Sequence, residues 1–303
     1  MATNYEDLIP AAVADDAIGA AAQESVVLAL ANVIRMPEGL ESVPVVSVAP
    51  SVGFVTTVGG RKPVSSIEWT AERLEPVELA CTLAIPDAFI TDAGFPVWES
   101  VRGELAKAIA KTLDQAVLFG TGAPAAFPTG GLAALAGAAQ SGATAEEAID
   151  AALGVVEGQG VRPTGIASGL AILSALRQSQ MASGATPVAG AAELGLFGLP
   201  VETTVYWQNT AGDAVVGDWT ALVVGIRDDV SYDLSSDGVL IDDSGEIVVS
   251  AFQDDQTLLR VHLRVGVVVA QPVGAAGTPV VPFEFADWTD GTTVAASKTT
   301  AKK

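Results

Sequence analysis

Pro96-Val-Trp-Glu-Ser-Val-Arg-Gly-Glu-Leu-Ala-Lys-Ala-Ile-Ala-Lys-Thr-Leu-Asp-Gln-Ala-Val-Leu-Phe119, followed by Gly120-Thr-Gly122, sets the frame for the whole chain. Trp98, Val101, Leu105, Ile109, Thr112 or Leu113, and Ala116 recur at helical spacing. Pro96 suits a helix entry, and Gly120-Thr-Gly122 with Pro124 suits an exit. Glu99 with Arg102, and Glu104 with Lys107, are spaced to pair on the opposite face. The spacing predicts one helix over 97–119, roughly 35 Å long at about 1.5 Å per residue. Gly120-Thr-Gly122 follows a helix, so it is no dinucleotide loop, which must follow a strand and open a helix.

Upstream of this helix, Phe54-Val-Thr-Thr-Val58, the pair Gly59-Gly60, and Ile67, Trp69 and Ala71 alternating with Glu68, Thr70 and Glu72 read as a long hairpin. Its return strand is expected to run on through Val77, Leu79, Cys81, Leu83 and Ile85. Residues 11–35 read as a helical arm stopped at Met36-Pro37, and Val43–Pro50 as an extended strap. Downstream, Gln115–Ala145 is uncharged but broken by glycine and proline, which predicts an Ala/Gly-rich loop region and no membrane span. Helices are expected over 144–158, with Thr144 as N-cap, and over about 168–179. Strand pieces are expected at 165–167, 200–206, 213–216 and 220–224, giving an interleaved α/β body. After a strand at 247–252, Thr257–Ala270 alternates Leu259, Val261, Leu263, Val265, Val267 and Val269 against Arg260, His262 and Arg264, a strand of roughly 40 Å. The tail beyond Ala286 is expected to be disordered.

The chain has 303 residues, half of them hydrophobic, enough for one large domain or two ordinary ones. Fifteen basic against 36 acidic residues leave a net charge of −21, which excludes phosphate neutralisation by a basic face. The acidic amino terminus does not read as a secretory signal, so a cytoplasmic origin is expected. One cysteine excludes a disulfide framework and a C-x-x-C pair, and no Walker loop or nucleophile elbow occurs. Cys81 alternates with Leu79 and Leu83 and is expected to be a small buried hydrophobe. His262 is expected to be structural. Asp233–Ser244 begins like a calcium loop but has Ser244 where a bidentate Glu is required, and reads as a solvated turn. The pairs Asp228-Asp229 and Asp254-Asp255 point to opposite faces of a strand and make poor acid–base partners. No catalytic, cofactor-binding or metal residue is assigned, and no enzymatic activity is expected.

The order of elements, with the phrases Leu8-Ile-Pro10, Glu104–Asp114, Leu196-Phe-Gly-Leu-Pro-Val201, Gly217-Asp-Trp-Thr220, Val224-Gly-Ile-Arg-Asp-Asp-Val230, Phe252–Arg260 and Val265-Gly-Val267, resembles the major capsid protein family of tailed bacteriophages, with its Hong Kong ninety-seven-type α+β fold. The resemblance implies an amino-terminal arm over 1–50 and an extended loop over 51–85. It implies a peripheral domain over 86–143 including a spine helix at 97–119, an axial domain over 144–239, return strands over 240–272 and a partly disordered carboxy-terminal segment over 273–303. It further implies hexamers and pentamers closing an icosahedral shell around double-stranded DNA, bound without sequence specificity, in a virion assembled in the host bacterial cytoplasm. Scaffolding, portal and decoration proteins are the partners it suggests, with no membrane. Because the sequence opens directly on the arm, a separate scaffolding protein, or none, is expected. Some members of the family weld subunits through a lysine–asparagine isopeptide bond. Lys62 could stand as the lysine, but the only asparagines are Asn4, Asn32 and Asn209, none on the long return strand, so no cross-link is expected. The alternative on the same fold is an encapsulin-like bacterial compartment that loads a cargo enzyme.

Overall fold

The computed structural model describes residues 24–36, 41–50, 52, 54–55, 62, 64–92, 97–182, 195–242 and 244–288. In chain order these form α1 (Val26–Leu30), β1 (Asn32–Arg35), β2 (Glu41–Val48), β3 (Glu68–Leu74), β4 (Val77–Pro86), α2 (Asp87–Asp92) and α3 (Val97–Phe119). Next come α4 (Gly131–Ala136), β5 (Gln140–Ser141), α5 (Ala145–Gly158), β6 (Gly165–Gly169), α6 (Ala171–Ala182), β7 (Gly195–Leu196), β8 (Leu199–Thr204) and β9 (Ala214–Gly217). After a short 3-10 turn at Trp219–Ala221, the chain continues as β10 (Leu222–Ser235), β11 (Val239–Ile241), β12 (Ile247–Ser250), β13 (Gln256–Val269) and β14 (Phe283–Asp287).

Two sheets organise the body. A four-stranded sheet runs β1-β10-β13-β4, and a six-stranded mixed sheet runs β5-β14-β9-β6-β8-β7. The alternation of β13 is realised: Leu259, Val261, Leu263, Val265, Val267 and Val269 are all buried. The Leu259–Leu263 half packs with Leu105 of α3 and Ile226 of β10. The Val265–Val269 half enters a second core with Leu113 and Val117 of α3, Trp219, and Phe283 and Phe285 of β14. The six-stranded sheet is covered on its other face by α5 and α6, where Ile149, Ala152, Val156, Ile172 and Leu176 meet Ile166, Ala214, Val216 and Ala286. Thr144 caps α5, its Oγ1 accepting from the Glu147 amide at 3.3 Å, and Glu147 Oε2 accepts from the Ala143 amide at 3.1 Å. The last turn of α3 closes where Gly120 N–H donates to Ala116 O and Thr121 N–H to Gln115 O.

Several sequence expectations are corrected. Among the described residues of the helix expected over 11–35, Glu24 and Val26–Leu30 are helical. Asn32–Arg35 is a strand, because the β-branched Val33 and Ile34 pair in parallel with Val224 and Gly225 of β10. The described partner of β3 is β2: Val46 faces Trp69 and Pro44 faces Ala71, while Phe54 and Val55 carry no regular structure and residues 56–58 lie outside the described residues. The expected Gly59-Gly60 turn also lies outside the described residues. The expected continuous return strand breaks at Glu75-Pro76, since proline offers no ladder donor, and β4 joins the other sheet. The loop region after α3 contains the helix Gly131–Ala136. The third helix starts at Ala171, and Ser168 belongs to a fully buried strand where its Oγ donates to Asp213 O at 2.7 Å. Thr220 and Ala221 belong to the 3-10 turn. Strand β10 pairs with β13 from Leu222 to Ser235, which places residues 222–235 in the four-stranded sheet. In the carboxy-terminal segment, β14 is a buried strand between β5 and β9, and the tail beyond 288 lies outside the described residues.

Gly120 and Gly131 meet back to back at positive φ (69° and 66°), and a Cβ on Gly131 would lie 2.5 Å from Gly120 N. Gly122 has a similar φ of 68° but open space around it. Gly131→Ala is expected to lower stability by about 2–4 kcal/mol, combining left-handed strain with overpacking, against about 1 kcal/mol for Gly122→Ala. Urea unfolding of the two variants measures the difference.

Candidate assembly interface

The segment 24–31 is fixed to the body by a buried polar contact. Ser25 is the N-cap of α1, its Oγ accepting from the Leu28 amide at 3.1 Å while donating to Asp114 Oδ1 at 2.6 Å. The Val26 and Val27 amides donate to the same carboxylate at 3.2 Å each. Asp114 projects from α3 and is 1% exposed, so its carboxylate satisfies the free donors at the start of α1 inside the core. Burial pushes its pKa up to about 6, outweighing the hydrogen bonds from Ser25, Val27, Val26 and Thr204 that favour the charged form. Sequence reading missed this contact. Its signal was an acidic residue next to Leu113 on an otherwise alanine- and leucine-rich helix.

Beyond this root, apolar surface is left open. Among the described residues the ribbon β2/β3 pairs with no third strand, and its inner end is tied down: Leu74 is buried with Met36, Val223 and Val268, with Val43 packed against them. Trp69, Ile67 and Val48 farther out are exposed, Trp69 by 62%, and Phe54 in the following segment is fully exposed. A second two-stranded ribbon, β11/β12, carries exposed Val239, Ile241, Ile247 and Val248, with exposed Phe252 just beyond it. Exposed apolar side chains gathered on such ribbons are candidates for a face that meets another macromolecule.

The residues singled out for chemistry do not converge. Arg260 donates from Nε and Nη2 to Asp233 Oδ2 at 3.1 and 2.6 Å. His262 Nδ1 lies 3.8 Å from the same oxygen, and Arg264 lies 3.9 Å from Glu78. This is a solvent-side ladder across β10, β13 and β4. Asp233 therefore serves Arg260, and Asp242 accepts from Ser244 N, Ser244 Oγ and Glu246 N. The Ser244 hydroxyl first, then the amides, hold its pKa below the usual carboxylate range. Asp254 accepts from the Ser250 amide, and Asp255 takes a positive φ of 48°. Asp228 pairs with Arg264 in the β10–β13 register. Cys81 corrects the expectation: it is exposed, because β4 is the outer strand of its sheet and receives only partial cover on that side. Lys62 is exposed, Asn32 lies in β1, Asn209 Nδ2 donates to Asp213 Oδ1 at 3.1 Å, and Asn4 lies outside the described residues. Among the described residues no cluster of three His, Cys, Asp or Glu could hold a metal ion, and no helix is long and apolar enough to cross a membrane.

A family model described as the phage capsid family matches residues 6–276. Among solved structures, a chain of Microbacterium phage Oxtober96 is similar at 24% identity and a TM-score of 0.72, covering 87% of this chain and 91% of that one. A chain of Mycobacterium phage Cain is similar at 22% identity and a TM-score of 0.72, covering 95% and 94%. The capsid of a native GTA particle computed with C5 symmetry is similar at 17% identity and a TM-score of 0.59, covering 88% and 90%. A search of curated proteins returns no match.

Asp114 gives the pH dependence of the arm root. Its folded pKa, about 6, lies above the ordinary value of 3.8, so the folded state binds the proton more tightly. Its stabilising contribution is complete below pH 3.8 and is lost as pH rises through 6. At about 1.4 kcal/mol per unit this amounts to about 3 kcal/mol. Thermal unfolding at pH 5 and pH 7.5 is expected to show a fall for the native chain that exceeds the fall for Asp114→Asn. Parallel pH profiles for the two would contradict the assignment.

Proposed function

This chain belongs to the phage capsid family as a major capsid protein and a virion component, and from that premise we propose that its copies assemble through hexamers and pentamers into an icosahedral shell around the double-stranded DNA of a tailed phage. The observation that carries the reading is the match of the capsid family model over 6–276. Two ribbons whose apolar side chains stay exposed among the described residues support it. Side chains of this kind gain stability only when neighbouring copies cover them. The C5 symmetry named for the GTA particle is consistent with pentamers. An encapsulin-like compartment is not favoured, since the similar solved chains come from phage and GTA capsids.

In this reading residues 1–50 strap neighbours and 51–85 reach over them. The peripheral domain joins 86–143, with its spine helix at 97–119, to the return strands 240–272. The axial domain fills most of 144–239. The pairing of β10 with β13 supports counting 222–235 with the return strands. The carboxy-terminal segment spans 273–303, and its β14 supports counting 283–287 with the axial sheet. The net charge of −21 suits a wall that DNA passes without adhering, because no counterion release favours binding. Assembly takes place in the host cytoplasm, with scaffolding, portal and decoration proteins as further partners. The subunit carries out no catalytic step.

Expressed alone, residues 1–303 are expected to form closed shells of uniform diameter, or capsomers, by negative-stain electron microscopy and sizing chromatography. A stable monomer with β2/β3 resistant to protease would contradict the proposal. Nucleic acid in purified particles separates a genome shell from a cargo compartment. On denaturing electrophoresis, mature particles are expected to run as a single monomer band, and a ladder would overturn the absence of an isopeptide cross-link.

A further inference from the structure

Beside the inner end of β4 lies a half-open cavity of about 150 Å³, walled by Val77, Leu79, Leu113, Ala116, Phe127 and Val265. An apolar cavity of this order accepts a ring the size of benzene. Gly122, Pro124 and two polar residues, Glu78 and Thr112, complete the wall. Thr112 Oγ1 donates to Ala108 O at 2.9 Å, which leaves its lone pairs free to accept a hydrogen bond. The site therefore fits a large apolar side chain that carries one N–H donor, which is the description of a tryptophan.

Trp69 is such a side chain, exposed on β3 beside Val46. It cannot reach the cavity of its own chain: Leu74 is fixed in the body, and Trp69 stands five residues farther out along a paired strand, about 17 Å at roughly 3.3 Å per residue. The ribbon is also suited to approach another copy. Residues 41–74 hold Arg61, Lys62 and Arg73 against Glu41, Glu68 and Glu72, so 3 − 3 = 0, on a chain whose total is −21. It is a neutral limb on an acidic body, and meets less repulsion from a second copy than the rest of the surface does.

We propose that Trp69 of one copy seats in the cavity between β4, α3 and the 122–127 loop of a second copy, its indole N–H donating to Thr112 Oγ1 or the Glu78 carboxylate. The inference deepens the shell reading and rests on it, since it names a pair of surfaces by which copies join.

The test compares assembly of the native chain, Trp69→Phe and Trp69→Ala, all full length, by light scattering against concentration. Circular dichroism is expected to be the same for all three, because Trp69 contributes no core contact. Trp69→Ala is expected to raise the concentration needed for assembly about tenfold, with Trp69→Phe between, as it keeps a ring but loses the donor. Equal assembly of Trp69→Ala and the native chain would overturn the proposal. As a second readout, chains carrying photo-reactive benzoylphenylalanine at position 69, co-assembled as a minority with isotope-labelled native chains, are irradiated and mapped by mass spectrometry. Cross-links between copies to peptides holding 77–79 or 122–127 are expected, and cross-links directed elsewhere would overturn the seat. Failure of the native chain to assemble at all would instead remove the shell reading.

Discussion

The pairing of β10 with β13 is the interaction on which the rest of the structure depends. Two strands of fourteen residues each run antiparallel from Leu222–Val269 to Ser235–Leu258. Because side chains alternate along β13, one face of a single strand supplies apolar residues to two successive cores. Its outer half lies under the middle of α3. Its inner half meets the end of α3, Trp219 and the aromatic pair Phe283 and Phe285, which belong to the six-stranded sheet. The α/β body and the four-stranded sheet are thus held to one rod and one strand pair. Arg260, His262 and Arg264, on the other face, keep that face in water and tie it laterally to Asp233 and Glu78.

From this frame the remaining elements extend outward with little core of their own. The arm returns through the Ser25–Asp114 contact, where a buried carboxylate replaces water at the first amides of a five-residue helix. The ribbon β2/β3 is anchored at Leu74 and Val43 and then leaves the surface, carrying Trp69 outward. Isolated two-stranded ribbons are marginal in water, and exposed apolar side chains add to that cost. Exposed ribbons of this kind suit a subunit of an oligomeric shell, in keeping with its place in the phage capsid family.

Much of this was legible in the sequence, and the failures have physical causes. The helix 97–119 and the strand 256–269 were legible because their apolar periods run unbroken for many residues, and the cap at Thr144 because its acidic first turn follows directly. Strand β10 was cut short at Val224 because Gly225 and the acidic pair at 228–229 interrupt the alternation. The structure absorbs them with register shifts between Ile226 and Asp228 and between Asp228 and Ser231. The pairing of β3 with Glu41–Val48 was not foreseen because Phe54–Val58 is also rich in β-branched residues, and pairing depends on a partner that local pattern does not reveal. An exposed hairpin around Trp69 was legible, while the second ribbon β11/β12 was not. The buried Asp114 and the cavity beside β4 were not, because each is made by residues that only the fold brings together.

The central claim is that the ribbon β2/β3 is completed by neighbouring copies. Amide hydrogen exchange over residues 41–48 and 68–74, compared between dissociated subunits and assembled particles, tests it most directly. The account predicts fast exchange in free subunits and strong protection in particles, with β13 protected in both. Equal exchange of the ribbon in the two states would contradict it.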